Sequence, residues 1–504
     1  MCKFVHRNYS EVYIYYIKVL MNKISILLIL LFCSFMSVLS SEPPATEIRA
    51  VWLTTNYGLD WPRNRTSQES QKRELINILD SLKKYNFNTV LFQVRARGEV
   101  LYISDIEPLS SLIVSGGYAN DKFDPLAFAI EESHKRGLEC HAWLVTYPLG
   151  TDKQVRSLGS KSITKKDPTI TKKFKGEWFL DPGNPRTDDY LLSIVEEIVT
   201  KYDVDGIHMD YIRYPDNRGQ FPDDGLYRVH GKGKSKSDWR RDNITRFVGK
   251  LYKTVKDIKP WVQVSSAPLG RYRTLNERGR GWTAHETVFQ DAGKWMELGI
   301  HDALYPMMYY KDELFYPYLD DWILNCNNRI LVPGLGAYQM IELKWLLNDI
   351  TDQIDYSRDK NTHGQAYFRT ENVLSNTKGV LNSLGKYYKY PAKVPPMVWL
   401  SDSIPDKPHS ISAERNEDGL FELSWESVHK DSRVTYNVYR SETDDFSKDN
   451  AHYIIATGLK ETYYSYYAEN NDLAYYYYIT VSDSFNNESD ISTPAFFYHS
   501  DIVK

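Results

Sequence analysis

Cysteine is scarce: the chain carries 4 in 504 residues. No Cys-x-x-Cys spacing occurs, which removes zinc-ribbon and thioredoxin-type redox readings. There is no Gly-x-Ser-x-Gly, so no serine nucleophile elbow. Residues 54–61, after the first predicted strand, hold one glycine, Gly58. A dinucleotide-binding doubly wound sheet, the rival architecture, would place a glycine-rich phosphate loop there. No cofactor is therefore expected. Neither sign of charge dominates: 62 Lys+Arg against 66 Asp+Glu give a net −4. That balance offers no basic surplus for nucleic acid.

Long apolar runs are also few. The one at 24–38 is shorter than the ~20 residues of a spanning helix. Met21-Asn22-Lys23 precedes it and Val38-Leu39-Ser40-Ser41 follows. This is the layout of an export signal. Translation from Met21 makes 1–20 an upstream extension, so 1–41 reads as extension plus signal. The product is expected to be exported, periplasmic or at the cell surface, and membrane-anchored if the segment is retained. Cys140 and Cys326 then remain, and Cys140, inside an apolar strand, reads as a small buried residue.

Aromatic residues are plentiful, at 14% with 39 Tyr and 12 Trp. Flat rings of this kind stack on sugars and also fill ordinary cores. From 46 to 392 strand-like and helix-like segments alternate, with strands at 48–54, 88–94, 138–145, a short one within 204–215, and others at 261–265, 303–308, 329–332 and 364–368, and with helices that include about 286–298 and a last one at about 375–387. Eight such units predict a (β/α)8 TIM barrel in the α/β class. The stretch 146–185 reads as one long loop, of a length that is usually functional. Residues 393–408, with Pro395, Pro396, Pro405 and Pro408, read as a linker. Short alternating strands from 409 to 500 predict an all-β sandwich. Trp425, Tyr436-x-Val438-Tyr439-Arg440 and Ile479-Thr480-Val481 resemble a fibronectin type III module, with the tyrosines around 475–478 as its core.

Barrel active sites sit at the carboxyl ends of the strands. Collecting those ends gives two carboxylates besides the leading candidate Asp210, namely Glu99 and Glu371; Glu177 and Asp312 also qualify by position. Candidate substrate-binding residues are Trp52, Arg95, His141, Trp143, Tyr147, His208, Arg213, Tyr309 and Tyr338. Carboxylates with Tyr, Trp and Arg on one face suit glycoside cleavage, which needs a proton donor and a stabiliser for an oxocarbenium-like transition state. Plainer readings stand beside these. Asp210 and Arg213 can simply pair and pin a loop, Glu371 can be an N-terminal helix acid, and His141 and His208 can be satisfied core histidines. His208-x-Asp210 with His141 and Asp205 matches no recognised metal spacing, so no metal is expected.

Ile48-Arg49-Ala50-Val51-Trp52-Leu53-Thr54, Phe92-Gln93-Val94-Arg95 and Phe123-Asp124-Pro125-Leu126-Ala127 follow one another in order. Then come His134-Lys135-Arg136-Gly137-Leu138-Glu139-Cys140-His141-Ala142-Trp143, Leu180-Asp181-Pro182-Gly183 and Asp205-Gly206-Ile207-His208-Met209-Asp210-Tyr211. Together they closely resemble the glycosyl hydrolase-like 10 family of exported bacterial proteins. The resemblance implies a TIM barrel and hydrolysis of peptidoglycan glycan strands. Asp210 is its best-matched carboxylate, while Arg95 and Trp143 fall on other matching motifs. Two departures stand out: Glu99 replaces a frequent Asp, and Met307 stands where many relatives have Gln. Chitinase-type barrels are distantly similar. Asp205, Gly206 and Asp210 match their fourth strand, but His208 and Ile212 replace an Asp and the acid Glu. Met308-Tyr309 resembles their Met-x-Tyr. The expected function is therefore an exported, monomeric glycoside hydrolase of an N-acetylhexosamine-containing glycan, peptidoglycan first. The alternatives are another polysaccharide, or a glycan-binding protein on a degenerate barrel.

Overall fold

The computed structural model describes residues 42–113, 123–215, 220–275, 281–416, 419–427, 433–467 and 474–497. The expected signal and extension, 1–41, lie outside the described residues. Among the described residues no helix is long and apolar enough to cross a membrane.

Eight parallel strand positions form the barrel: β1 Ile48–Leu53, β2 Thr89–Arg95, β3 Glu139–Val145, β4 Gly206–Asp210, β5 Gln263–Ser266, β6 Ala303–Leu304, β7 in two pieces, Ile330–Leu331 and Gly334–Leu335, and β8 Gly364–Tyr367. The first piece of β7 pairs with β6 and the second with β8, while β8 pairs with β1. The two ends of the sheet thus belong to one interrupted strand, and the sheet closes on itself. The interruption falls at Val332-Pro333. Proline has no N–H for the ladder, so the strand kinks there and changes partner.

Strand alternation sorts the side chains. Ile48, Ala50 and Trp52 point into the barrel and pack with Leu91, Trp143, Ala267, Ala303, Tyr305, Ile330, Val332 and Ala366. Val51, Leu53, Val90 and Phe92 face the other way, into the layer of helices. Those helices begin at sequence-encoded caps. Ser67 accepts from Ser70 N–H ahead of α1, Gln68–Lys84, and Asp124 accepts from Ala127 N–H ahead of α2, Pro125–His134. Asn184 does the same for α3, Pro185–Lys201, and Ser235 for α4, Lys236–Ile258. Each satisfies a donor that the first helical turn leaves open.

Three expectations need correction. The predicted loop 146–185 is folded: Pro148–Thr151, Glu177–Leu180 and Thr171–Phe174 make a three-stranded antiparallel sheet in that order, with short helices between. The predicted helix at 286–298 is two shorter ones, Ala284–Thr287 and Ala292–Glu297. The predicted last helix, 375–387, is confined to Val380–Tyr387, because Asn376, Lys378 and Gly379 all take positive φ.

The C-terminal strands form a two-sheet sandwich. His409–Arg415, Phe421–Glu426 and Tyr463–Tyr466 make one sheet; Ile454–Leu459, Thr435–Ser441, Tyr475–Ser482 and Ala495–Phe497 make the other. Trp425, Tyr436, Tyr475, Tyr477, Ile479 and Val481 fill the space between them. The proline-rich 393–408 stretch begins as packed chain rather than a free tether. Met397 is buried against the inward-facing barrel cluster, and Trp399 Nε1 donates to Asp302 Oδ1 at 2.9 Å.

Candidate active site

The inward positions at the carboxyl ends of the strands change character. Below them the barrel is filled largely by Ala, Ile, Val and Leu, with Tyr305 and the buried His208 and Ser265 among them. At the top stand Trp52 on β1, Gln93 on β2, Trp143 on β3 and Asp210 on β4. With Ala267, Met307, Tyr309, Phe368, Arg213, Trp282 and the excursion's Phe174, Glu177 and Phe179, they line a cleft of about 540 Å³. A cleft walled by rings at this end of such a barrel is where ligands bind.

Asp210 lies at its base and is 6% exposed. Its Oδ1 accepts from Tyr211 N–H at 2.7 Å, and its Oδ2 accepts from the Trp143 indole at 3.3 Å. Burial pushes its pKa up to about 6; the Arg213 charge and these two donors pull only part of the way back. A carboxyl in that range keeps its proton up to about pH 6, roughly two pH units further than a free one, and can give it away.

The turn after β4 places Arg213. Tyr211 takes a left-handed backbone, φ +50, and Arg213 N–H donates to the Tyr211 carbonyl at 2.8 Å. The chain folds back so that the guanidinium lies 4.5 Å from the centre of the Tyr211 ring and 5.9 Å from that of Trp282. Its Nε is buried with no hydrogen-bond partner among the described residues. No hydrogen bond joins Arg213 to Asp210 among the described residues, so the expected pairing takes the form of a charge interaction, with Arg213 pulling the Asp210 pKa down.

Tyr309 stacks on Phe368 with ring centres 5.5 Å apart and meets Trp52 edge-on at 6.4 Å. Burial, and then the nearby Asp210 charge, hold its phenol well above the usual range, so it stays an O–H donor. Trp52 is fixed from below: its Nε1 donates to His208 Nε2 at 3.1 Å. Because Nε2 accepts, the proton sits on Nδ1, which donates to Ser265 Oγ at 2.9 Å. Burial keeps this imidazole neutral, its pKa well below the ordinary value.

Of the residues expected at the site, Trp52, Trp143, Asp210, Arg213 and Tyr309 line the cleft together. The others lie elsewhere. Arg95 is fully buried on the helix side, where Glu107 grips Nε and Nη2 at 2.7 Å each and the carbonyls of Val145 and Thr146 take Nη1. The cause is a bulge: register with β3 shifts between Gln93 and Arg95, which sets Arg95 opposite outward-facing Leu144. Glu99 lies in a neighbouring recess, accepting from Ser110 Oγ at 2.7 Å. Burial raises its pKa too. Glu371 pairs with Arg63 at 2.6 Å on the surface. His141 is buried against Glu139 at 3.0 Å, beneath Gly206, and His208 acts through Trp52. Tyr147 is core, edge-on to Phe247. Tyr338 backs Tyr309 at 5.5 Å without lining the cleft.

Three contributors fell outside the expected list. Glu177, weighed by position only, is the other carboxylate on the described cleft wall and lies 3.5 Å from Arg97. Trp282 carried no signal. Gln93 did: it occupies the inward position two after Leu91, at the carboxyl end of the strand where active-site residues stand.

A buried, proton-holding carboxyl in an aromatic cleft at the top of a closed (β/α)8 barrel is the layout of a glycosidase-type site. The chain belongs to the glycosyl hydrolase-like 10 family, whose model matches residues 47–320. It is 30% identical over 477 residues to the glycosyl hydrolase YngK of Bacillus subtilis, covering 88% of this chain and 92% of that protein. It is 32% identical over 363 residues to the glycosyl hydrolase DigH of Escherichia coli K12, covering 64% and 82%. Among solved structures, the PgaB (BpsB) glycoside hydrolase domain of Bordetella bronchiseptica aligns at 16% identity and a TM-score of 0.46, covering 67% of this chain and 98% of that one.

Proposed function

We propose that this protein is a glycoside hydrolase of N-acetylhexosamine-containing glycans, with peptidoglycan glycan strands as the substrate. The observation that carries the reading is Asp210: a carboxyl buried at the base of an aromatic cleft, with its pKa raised to about 6. In this role it donates its proton to the glycosidic oxygen as the bond to the anomeric carbon breaks. Trp143 orients the carboxyl through Oδ2, and Arg213 sets how readily it ionises. Glu177, held beside Arg97, is the partner carboxylate, facing the developing positive charge on the sugar or activating water. Tyr211, Trp282 and Phe368, the rings of the cleft wall that stay partly exposed, supply flat apolar faces for pyranose rings. The peptidoglycan assignment leans on the family and on the export signal read in residues 21–41.

The test is digestion of purified glycan strands, with and without stem peptides, followed by mass spectrometry. New reducing ends from the wild type, absent with Asp210→Asn and strongly reduced with Glu177→Gln, are expected. Intact strands in every reaction, with binding retained, would move the assignment to recognition without cleavage.

A further inference from the structure

We infer that Gln93 is a specificity-determining residue that makes the cleft select a carbonyl acceptor on the sugar, that of an acylated amine, over a free amine. The inference rests on the glycan-hydrolase reading of the cleft. It starts from the orientation of one amide. Gln93 Oε1 receives Thr55 N–H at 2.9 Å and Asn56 N–H at 2.8 Å, and the Thr54 hydroxyl at 2.9 Å. Two of these donors are backbone N–H groups, which can only donate, so chemistry alone identifies the accepting atom as oxygen. The nitrogen is then the other arm. It donates to no described residue, although Gln93 is 3% exposed and lines the cleft. That nitrogen is not sealed off like the buried unpartnered atoms of the core; it opens on the cleft, so its two N–H groups are free to meet an acceptor on a bound ligand in place of water.

The surroundings narrow the choice. In the β2–β3 register Gln93 stands opposite Trp143, and Trp52 lies on the next strand. A group presenting an oxygen to the amide and a methyl to these indole faces satisfies both. An acetamido group does so. An ammonium has only donors, and it would leave the Gln93 nitrogen facing like polarity. Gln93 cannot turn over to accept, because three donors hold its oxygen. Rejection of a free amine is thus built into the turn after β1.

Gln93→Glu tests this nearly isosterically. One carboxylate oxygen keeps the three bonds of the turn, while the cleft-facing donor becomes an acceptor. The kcat/KM of wild type and variant would be measured on glycan strands and on the same strands after chemical de-N-acetylation, across pH because a second carboxylate raises Asp210 further. The wild type should prefer acetylated strands. The variant should lose roughly ten-fold or more on them and lose the preference, with its melting temperature close to wild type. An equal loss on both strands, or none, overturns the assignment. Binding of acetylated and de-N-acetylated chito-oligosaccharides to Asp210→Asn, by calorimetry, separates the two readings. If neither strand is ever cleaved, hydrolysis fails, yet a clear affinity preference in these titrations still supports Gln93. Equal affinities overturn it, including where Gln93→Glu does not fold.

Discussion

At the scale of single residues, the site is a set of side chains held in costly states by their neighbours. Asp210 is the clearest. Its pKa in the fold is about 6, against 3.8 for the free side chain, so the folded state holds the proton more tightly than the unfolded one. Its contribution to stability is complete below pH ~4 and is lost as pH rises through ~6. Asp210→Asn, which cannot ionise, escapes that loss. The variant should be inactive and yet more stable than wild type at pH 8, by on the order of 2 to 3 kcal/mol, with the difference vanishing at pH 4. Urea denaturation at the two pH values measures it. As a general acid Asp210 should also make kcat/KM fall as pH rises through about 6. Trp143→Phe removes a donor that favours the ionised form. That limb should therefore move to higher pH, while kcat drops as the carboxyl loses its orientation; a pH–rate profile shows both. Asp210 was legible in the chain because an acid at the end of an apolar strand stands out. Gln93 sat within the same kind of pattern and was passed over, since a neutral amide announces no chemistry until its partners are known.

At the scale of elements, legibility follows periodicity. The barrel strands are short apolar runs ended by polar residues, and all eight lie within a few residues of where the pattern placed them. The excursion at 146–185 was not legible as structure. Its strands have four residues each and Thr171–Phe174 is half lysine, too short and too polar for alternation to register. Arg95 failed for a different reason. Read along β2 alone, it continues the inward series Leu91, Gln93; only the register with β3 reveals the bulge that turns it outward. Its environment then defines its work. A buried guanidinium doubly bonded to Glu107, which also accepts from the Tyr190 hydroxyl at 2.6 Å, ties the β2 end to α3. Arg95→Met strands Glu107 as an uncompensated buried charge and should cost about 3 to 5 kcal/mol. At a temperature where the variant is still folded, KM should change little. A large KM increase without loss of stability would return Arg95 to the substrate.

At the scale of the molecule, the sandwich and the cleft occupy opposite ends of the barrel. The sandwich meets the amino-terminal starts of the strands and the linker: Asn486 Nδ2 donates to Oε1 of Glu139, the first residue of β3, at 3.1 Å, the linker's Lys393 pairs with Glu488 at 2.7 Å, and the Arg433 guanidinium lies 4.0 Å from the centre of the ring of Trp261, which precedes β5. The tightest approach is backbone on backbone. A Cβ on Gly137 would sit 2.4 Å from the Thr457 carbonyl oxygen, and Gly137 already has φ +66. Glycine is required there twice over, for the conformation that ends the turn after α2 and for the approach of the second domain. In TIM barrels that face serves stability, while chemistry belongs to the other. Gly137→Ala should therefore separate the two. Pushing the sandwich off its seat should expose the 392–397 stretch, where Ala392, Lys393 and Met397 are buried, so limited proteolysis there should speed up several-fold and the two domains should melt in separate transitions. Cleavage of soluble glycan fragments should keep its wild-type kcat/KM, because among the described residues none that lines the cleft also lines the recess between barrel and sandwich. If activity falls in step with proteolytic opening, the sandwich shapes the cleft through the barrel, and its role is part of the catalytic unit rather than an attachment beneath it.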